Sequence, residues 1–247
     1  MARAAPPADR SAFYALAPGG WRDLVTLLHP PYTAWHLSYV AIGSAMAPQL
    51  HAARLAAALL AFFLAVGVAA HALDELRGRP LGTRLSDRAL IALAAVGLSA
   101  AAAIGIYGAA TVSLSLLPFT AVGVFLVLAY DLEWFAGRFH TDLWFALAWG
   151  AFPAAVGFWV NALALHAAGV LAVAACFALS VAQRQLSSPV RELRRRTASV
   201  SGELRLRDGR VIPLDVRALA QPLEGALGAC AFAVTLLAIA LVVLRLD

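Results

Sequence analysis

Long apolar runs broken by short polar clusters set the rhythm of this chain. Residues 55–70 carry no charge at all, and then His71, Asp74, Glu75, Arg77 and Arg79 arrive within ten residues. Runs of similar character cover roughly 33–50, 53–73, 89–107, 112–130, 143–160, 163–181 and 223–244. Each is long enough for a helix to cross about 30 Å of hydrocarbon. The pattern therefore predicts an all-α fold, a polytopic transmembrane helix bundle of about seven spans. The stretch 21–28, with Trp21 and Arg22, reads as an interfacial helix, and His29-Pro30-Pro31 turns the chain into the bilayer. Pro153, inside the fifth run, is expected to kink its helix and free a backbone carbonyl.

Two polar segments interrupt the runs, 131–142 and 182–222. The second contains an Arg-rich helical stretch and then alternating residues, Glu203, Arg205 and Arg207 against Leu204 and Leu206. Asp208-Gly209 supplies a two-residue turn, so 200–214 reads as a β-hairpin, a small cap between the last two spans. Residues 1–20 read as a disordered cytoplasmic tail and 21–247 as one transmembrane domain.

Composition strengthens the membrane reading. The chain is 62% hydrophobic and 13% charged, where soluble domains run near half apolar and about a quarter charged. All 19 basic residues are Arg. Their net charge of +5 needs no nucleic acid, because cytoplasmic loops of membrane proteins collect positive charge. An N-terminus on the cytoplasmic side leaves Arg54 and Arg245 as the outside arginines, and the expected location is a prokaryotic inner or plasma membrane. Cys176 and Cys230 lie inside apolar runs and read as small buried hydrophobes.

That orientation gathers chemistry at one face. His71, Asp74 and Glu75 share a helix face at i, i+3 and i+4, and Asp131, Glu133, His140 and Asp142 come from the 131–142 segment. Mixed imidazole and carboxylate sets can hold a divalent cation: Mg²⁺ on oxygen ligands, or Fe or Zn where histidines join. Asp74, Glu75, Asp131, Glu133, His140 and Asp142 are the candidate metal ligands. Arg77, Arg79 and Arg138 suit a phosphate or diphosphate. Tyr130, Trp144 and Trp149 could wall an apolar substrate or steady a carbocation. Arg194, Arg195 and Arg196 read as a contact for anionic lipid.

The order of these features resembles the UbiA-type prenyltransferase superfamily. The likeness rests on an interfacial helix, a first span, a second span ending in Asp74, and the run Gly78-Arg79-Pro80-Leu81-Gly82-Thr83. Tyr130, Gly150 and Gly157 extend it, and it covers roughly residues 25–195. It implies a helical bundle with a cytoplasmic cavity for an isoprenoid-like chain. It also implies an enzyme that transfers or cyclises an isoprenoid diphosphate, with Mg²⁺ at Asp74 and Glu75, and His71 completing the catalytic group. Two other readings stand beside it. One is a metal-dependent lipid oxidoreductase or hydrolase using the mixed His/carboxylate site. The other is a non-catalytic lipid-binding or transport protein, favoured by Gln183-Arg184-Gln185 standing where the family has its second acidic motif. The oligomeric state is left open.

Overall fold

The computed structural model describes residues 11–246. Eight main helices and one small hairpin make up the fold: α1 (Trp21–Leu27), α2 (Pro30–Ala45), α3 (Ala52–Leu76), α4 (Asp87–Thr111), α5 (Leu116–Asp131), α6 (Asp142–Ala162), α7 (Ala167–Arg195), β1 (Glu203–Arg205), β2 (Val211–Pro213) and α8 (Val216–Leu246). Five of them, α3, α4, α6, α7 and α8, are long and apolar enough to cross a membrane. This is an integral membrane protein built as an all-α bundle. The shorter α2 and α5 stand where two further spans are expected from the sequence.

Local chemistry explains the helix boundaries. Pro30 and Pro31 open α2, where a missing N–H costs nothing, and His29 before them takes a left-handed conformation. The Ser86 hydroxyl accepts from Ala89 N–H to cap α4, and Thr141 accepts from Trp144 N–H to cap α6. The strands pair antiparallel with Leu204 opposite Ile212, as the Asp208-Gly209 turn predicts.

The bundle packs around α2, which lies against α6 and α8. Backbones approach closely there because glycine carries no side chain. A Cβ on Gly43 would sit 2.0 Å from the Ala154 carbonyl oxygen, and one on Gly157 would sit 2.1 Å from that of Val40. One apolar cluster joins α2, α6, α7 and α8 through Trp35, Tyr39, Ala154, Cys176 and Leu227. A second joins α3 to α6 through Val66, Leu90, Val127 and Trp149.

Two helices are locally unwound into π turns, Phe63–Ala70 in α3 and Leu147–Ala151 in α6. Pro153 accounts for part of the second. It has no N–H to give the Trp149 carbonyl four residues back, and that carbonyl instead accepts a hydrogen bond from His36 Nδ1 at 2.8 Å.

Three sequence expectations need correcting. The polar segment after the sixth span is not a loop from residue 182, because α7 runs unbroken through Pro189 to Arg195. The last helix likewise begins at Val216, ahead of the expected 223. Of the expected disordered tail 1–20, residues 1–10 lie outside the described residues, but 11–16 are packed and Gly19 is hydrogen-bonded. Ala12 and Ala15 are buried against Leu81, the Leu16 N–H donates to Thr26 Oγ1, and the Gly19 N–H donates to Asp23.

Candidate functional site

A polar cavity of about 140 Å³ opens where the two apolar clusters meet. Four elements build it. The loop before α2 and α2 itself bring His29, Tyr32 and His36. The end of α3 brings Ala70, His71 and Asp74. Tyr130, Asp131, His140, Phe145 and Trp149 come from α5, the turn after it, and α6. The inner end of α7 contributes Gln183, Arg184, Ser187, Arg191 and Arg195. The N-terminal segment closes the remaining side with Ser11, Phe13 and Tyr14.

The α7 contribution follows from helical spacing. Arg184, Arg191 and Arg195 stand at intervals of seven and four, so they share one face. Arg184 is steadied by Asp142 at 2.5 Å and by the Phe145 ring 5.1 Å away. Arg195 donates to the Ser11 carbonyl at 3.4 Å, and Arg191 reaches Ser188 at the same distance. Each guanidinium carries five N–H donors, so all three keep donors for a ligand. Burial holds the His29 imidazole well below its ordinary pKa, helped by the nearby His71 and the Arg195 charge. Burial also raises the Tyr14 hydroxyl well above the usual tyrosine range. Both groups are therefore neutral at pH 7.

A second, apolar cavity of about 290 Å³ lies among α3, α4, α5 and α6. Small side chains line it, including Ala53, Ala57, Ala61 and Ala65 along α3 and Gly105 and Gly108 on α4. Val66 and Trp149 line both cavities, so the polar and apolar spaces meet at these residues. Each belongs to a π turn.

Among the residues singled out from sequence, the structure brings His71, Asp74, Tyr130, Asp131, His140 and Trp149 to the polar cavity. It takes the others elsewhere. The Glu75 carboxylate is fully buried and accepts from Leu81 N–H, Thr83 N–H and Thr83 Oγ1 at 2.8–2.9 Å, so it holds the loop after α3. Glu133 pairs with Arg77 at 2.9 Å on the exposed surface. Arg79 bonds Asp87 and the Leu85 carbonyl at the start of α4. Arg138 is exposed, Trp144 packs against the Phe139 ring, and Asp142 is spent on Arg184. The six expected metal ligands therefore do not converge. Among the described residues, no three His, Cys, Asp or Glu side chains form a group that could hold a metal ion. Of the six, Asp74, Asp131 and His140 line the polar cavity, and Glu75, Glu133 and Asp142 are held by other partners.

The Arg194-Arg195-Arg196 run is also reassigned in part. Arg194 forms a buried, two-pronged pair with Glu224 at 2.8 Å, and Arg195 lines the cavity. Sequence reasoning passed over the cavity roles of Arg184, Arg191, Gln183 and Tyr14. The seven-and-four spacing of the arginines was the available signal, and it was hidden by ending the sixth span before Arg184 and starting a separate Arg-rich helical stretch after it. Tyr14 has no comparable signal.

Fold and site together define an integral membrane protein with a buried, arginine-bearing cavity joined to an apolar one. Comparisons with family models, curated proteins and solved structures return no match to this chain.

Proposed function

We propose that the protein binds a lipid with a phosphate or diphosphate head and a long apolar tail, of the isoprenoid diphosphate class that the resemblance to UbiA-type prenyltransferases implies. One observation carries this reading: the arginine-bearing cavity and the apolar cavity meet at Val66 and Trp149. The head would lie against Arg184, Arg191 and Arg195, whose charge-assisted hydrogen bonds suit phosphate oxygens. The tail would follow Ala65, Ala61, Ala57 and Ala53, a path of about 20 Å at the helical rise. Tyr130 and Trp149 would stand beside the first carbons of the tail, where an allylic cation forms if the diphosphate leaves. The arginine-rich end of the bundle supports a cytoplasmic head site and a cytoplasmic N-terminus, in a prokaryotic plasma membrane.

The dispersal of the expected acidic ligands favours a second reading, a lipid-binding member of such a family without turnover. The two share one test. The full chain in lipid nanodiscs is titrated with geranylgeranyl diphosphate, with geranylgeraniol and with inorganic pyrophosphate, with and without Mg²⁺. The diphosphate lipid should bind at least about tenfold more tightly than either fragment, since it alone fills both cavities. Val66→Trp should weaken the lipid and spare pyrophosphate. Equal binding of lipid and fragments, or none, overturns the proposal. Release of pyrophosphate from the bound lipid on addition of an acceptor separates a transferase from a carrier.

A further inference from the structure

The polar cavity has two chemically opposite walls. The α7 wall offers guanidinium donors. The facing wall offers acceptors, and the hydrogen-bond geometry defines them. His36 Nδ1 faces the Trp149 carbonyl at 2.8 Å, His71 Nδ1 faces that of Gly67 at 3.1 Å, and His140 Nδ1 faces that of Tyr130 at 3.0 Å. A carbonyl oxygen only accepts, so each Nδ1 must carry the proton. A neutral ring then holds a lone pair on Nε2. None of the three Nε2 atoms has a hydrogen-bond partner among the described residues.

Further polar atoms on the lining are unmatched besides His29 Nε2, and one of them, Gln183 Oε1, belongs to α7 itself. Asp131 Oδ2 and Gln183 Oε1 are buried without a partner among the described residues, although both side chains are more than nine-tenths enclosed. Buried polar atoms left unpaired are costly and call for an explanation. The lipid head of the proposed function cannot supply one. Phosphate oxygens accept hydrogen bonds, so they match the arginine wall and leave the opposite wall unmet.

We propose that the cavity takes a hydroxyl-bearing group, an alcohol or polyol, whose O–H donors meet Nε2 of His36, His71 and His140, Asp131 Oδ2 and Gln183 Oε1 while the anionic head lies on the arginines. The placement of the head rests on the proposed function; the hydroxyl preference rests on the acceptor wall. The hydroxyls could belong to a separate ligand or to the lipid's own head, and two matched pairs of probes tell these sources apart.

The full chain in nanodiscs is titrated with glycerol and with its trimethyl ether, 1,2,3-trimethoxypropane, with and without farnesyl thiolodiphosphate. In parallel, phosphatidylglycerol is compared with phosphatidylmethanol, which keeps the phosphate and lacks hydroxyls. A preference of about tenfold for the hydroxylated member is expected in at least one pair. In the glycerol pair it assigns a separate ligand, and in the phospholipid pair the lipid's own head. His71→Asn keeps an N–H for the Gly67 carbonyl and offers no acceptor at the Nε2 position. Gln183→Met matches Gln183 in length and removes Oε1. Either variant should cut the hydroxyl preference below about threefold, and a preference kept in full by both variants overturns the inference. Equal binding within both pairs means that water alone fills the acceptors and overturns the inference. A hydroxyl preference without any thiolodiphosphate binding overturns the isoprenoid diphosphate reading and sustains this one.

Discussion

The imidazoles of His29 and His71 lie face to face, with ring centroids 3.9 Å apart and planes 27° from parallel. Two protonated rings would repel at that distance, so the stack requires a neutral partner. Burial first, then His71 and Arg195, keeps His29 neutral by lowering its pKa well below 6.5. The unfolded chain therefore takes up a proton at His29 near pH 6.5 that the folded chain refuses. Its contribution to stability is complete above that pH and falls as pH drops, by about 1.4 kcal/mol per unit. Thermal unfolding in nanodiscs between pH 8 and 5 should show this decline, and His29→Phe should make it shallower. A wild-type melting temperature that rises on acidification contradicts the account.

Glu75 and Glu133, both candidate ligands by sequence, should behave as structural groups of very different weight. Glu75→Gln puts an amide donor against the donors of Leu81 and Thr83. It should cost about 1–3 kcal/mol, seen as a lower unfolding temperature. The Glu133–Arg77 pair is over 40% exposed at each end, and Glu133→Gln should cost less than about 1 kcal/mol.

Gly157 offers a direct test of the α2–α6 contact. Gly157→Ala drives a methyl group to 2.1 Å from the Val40 carbonyl oxygen, so the helices must part, at a cost of about 1–3 kcal/mol or more. Gly228 in α8 has nothing within 4 Å of its missing Cβ. There, Gly228→Ala should be neutral or stabilising by up to about 1 kcal/mol. Denaturation of the two variants side by side decides the matter.

Arg191 and Arg196 separate cavity charge from surface charge. Arg191 lines the cavity and its one side-chain hydrogen bond among the described residues goes to Ser188 at 3.4 Å, whereas Arg196 is exposed. Arg191→Ala should weaken geranylgeranyl diphosphate about tenfold or more, the loss of a charged hydrogen bond. Arg196→Ala should leave that affinity within about twofold. Equal effects of the two would place the phosphate elsewhere.

The bundle was legible because apolar length is written directly into sequence, and the hairpin because Asp208-Gly209 demands a tight turn. His71 and Asp74 were legible as a shared helix face at the end of an uncharged run. Glu75, adjacent to Asp74, points a different way, and only the fold of the 78–83 loop decides that its carboxylate is consumed there. Arg184 and Arg191 were obscured by Pro189, which ordinarily argues against a continuous helix but is carried inside α7. The packing of Phe13 and Tyr14 depends on partners far along the chain, His29 and Tyr32, and no local pattern announces such contacts.

The alanine-lined cavity also governs how this protein will behave outside its membrane. Such a space does not stay empty in a micelle, because the alkyl chain of the solubilising detergent matches its lining. Detergent thus acts as a competitive occupant of the tail path, and its chain length will set the apparent affinity of any lipid added later. Micelles of short-chain or bulky sterol-like detergents, which fit the path poorly, should leave it open to added lipid. Those of dodecyl detergents should mask it.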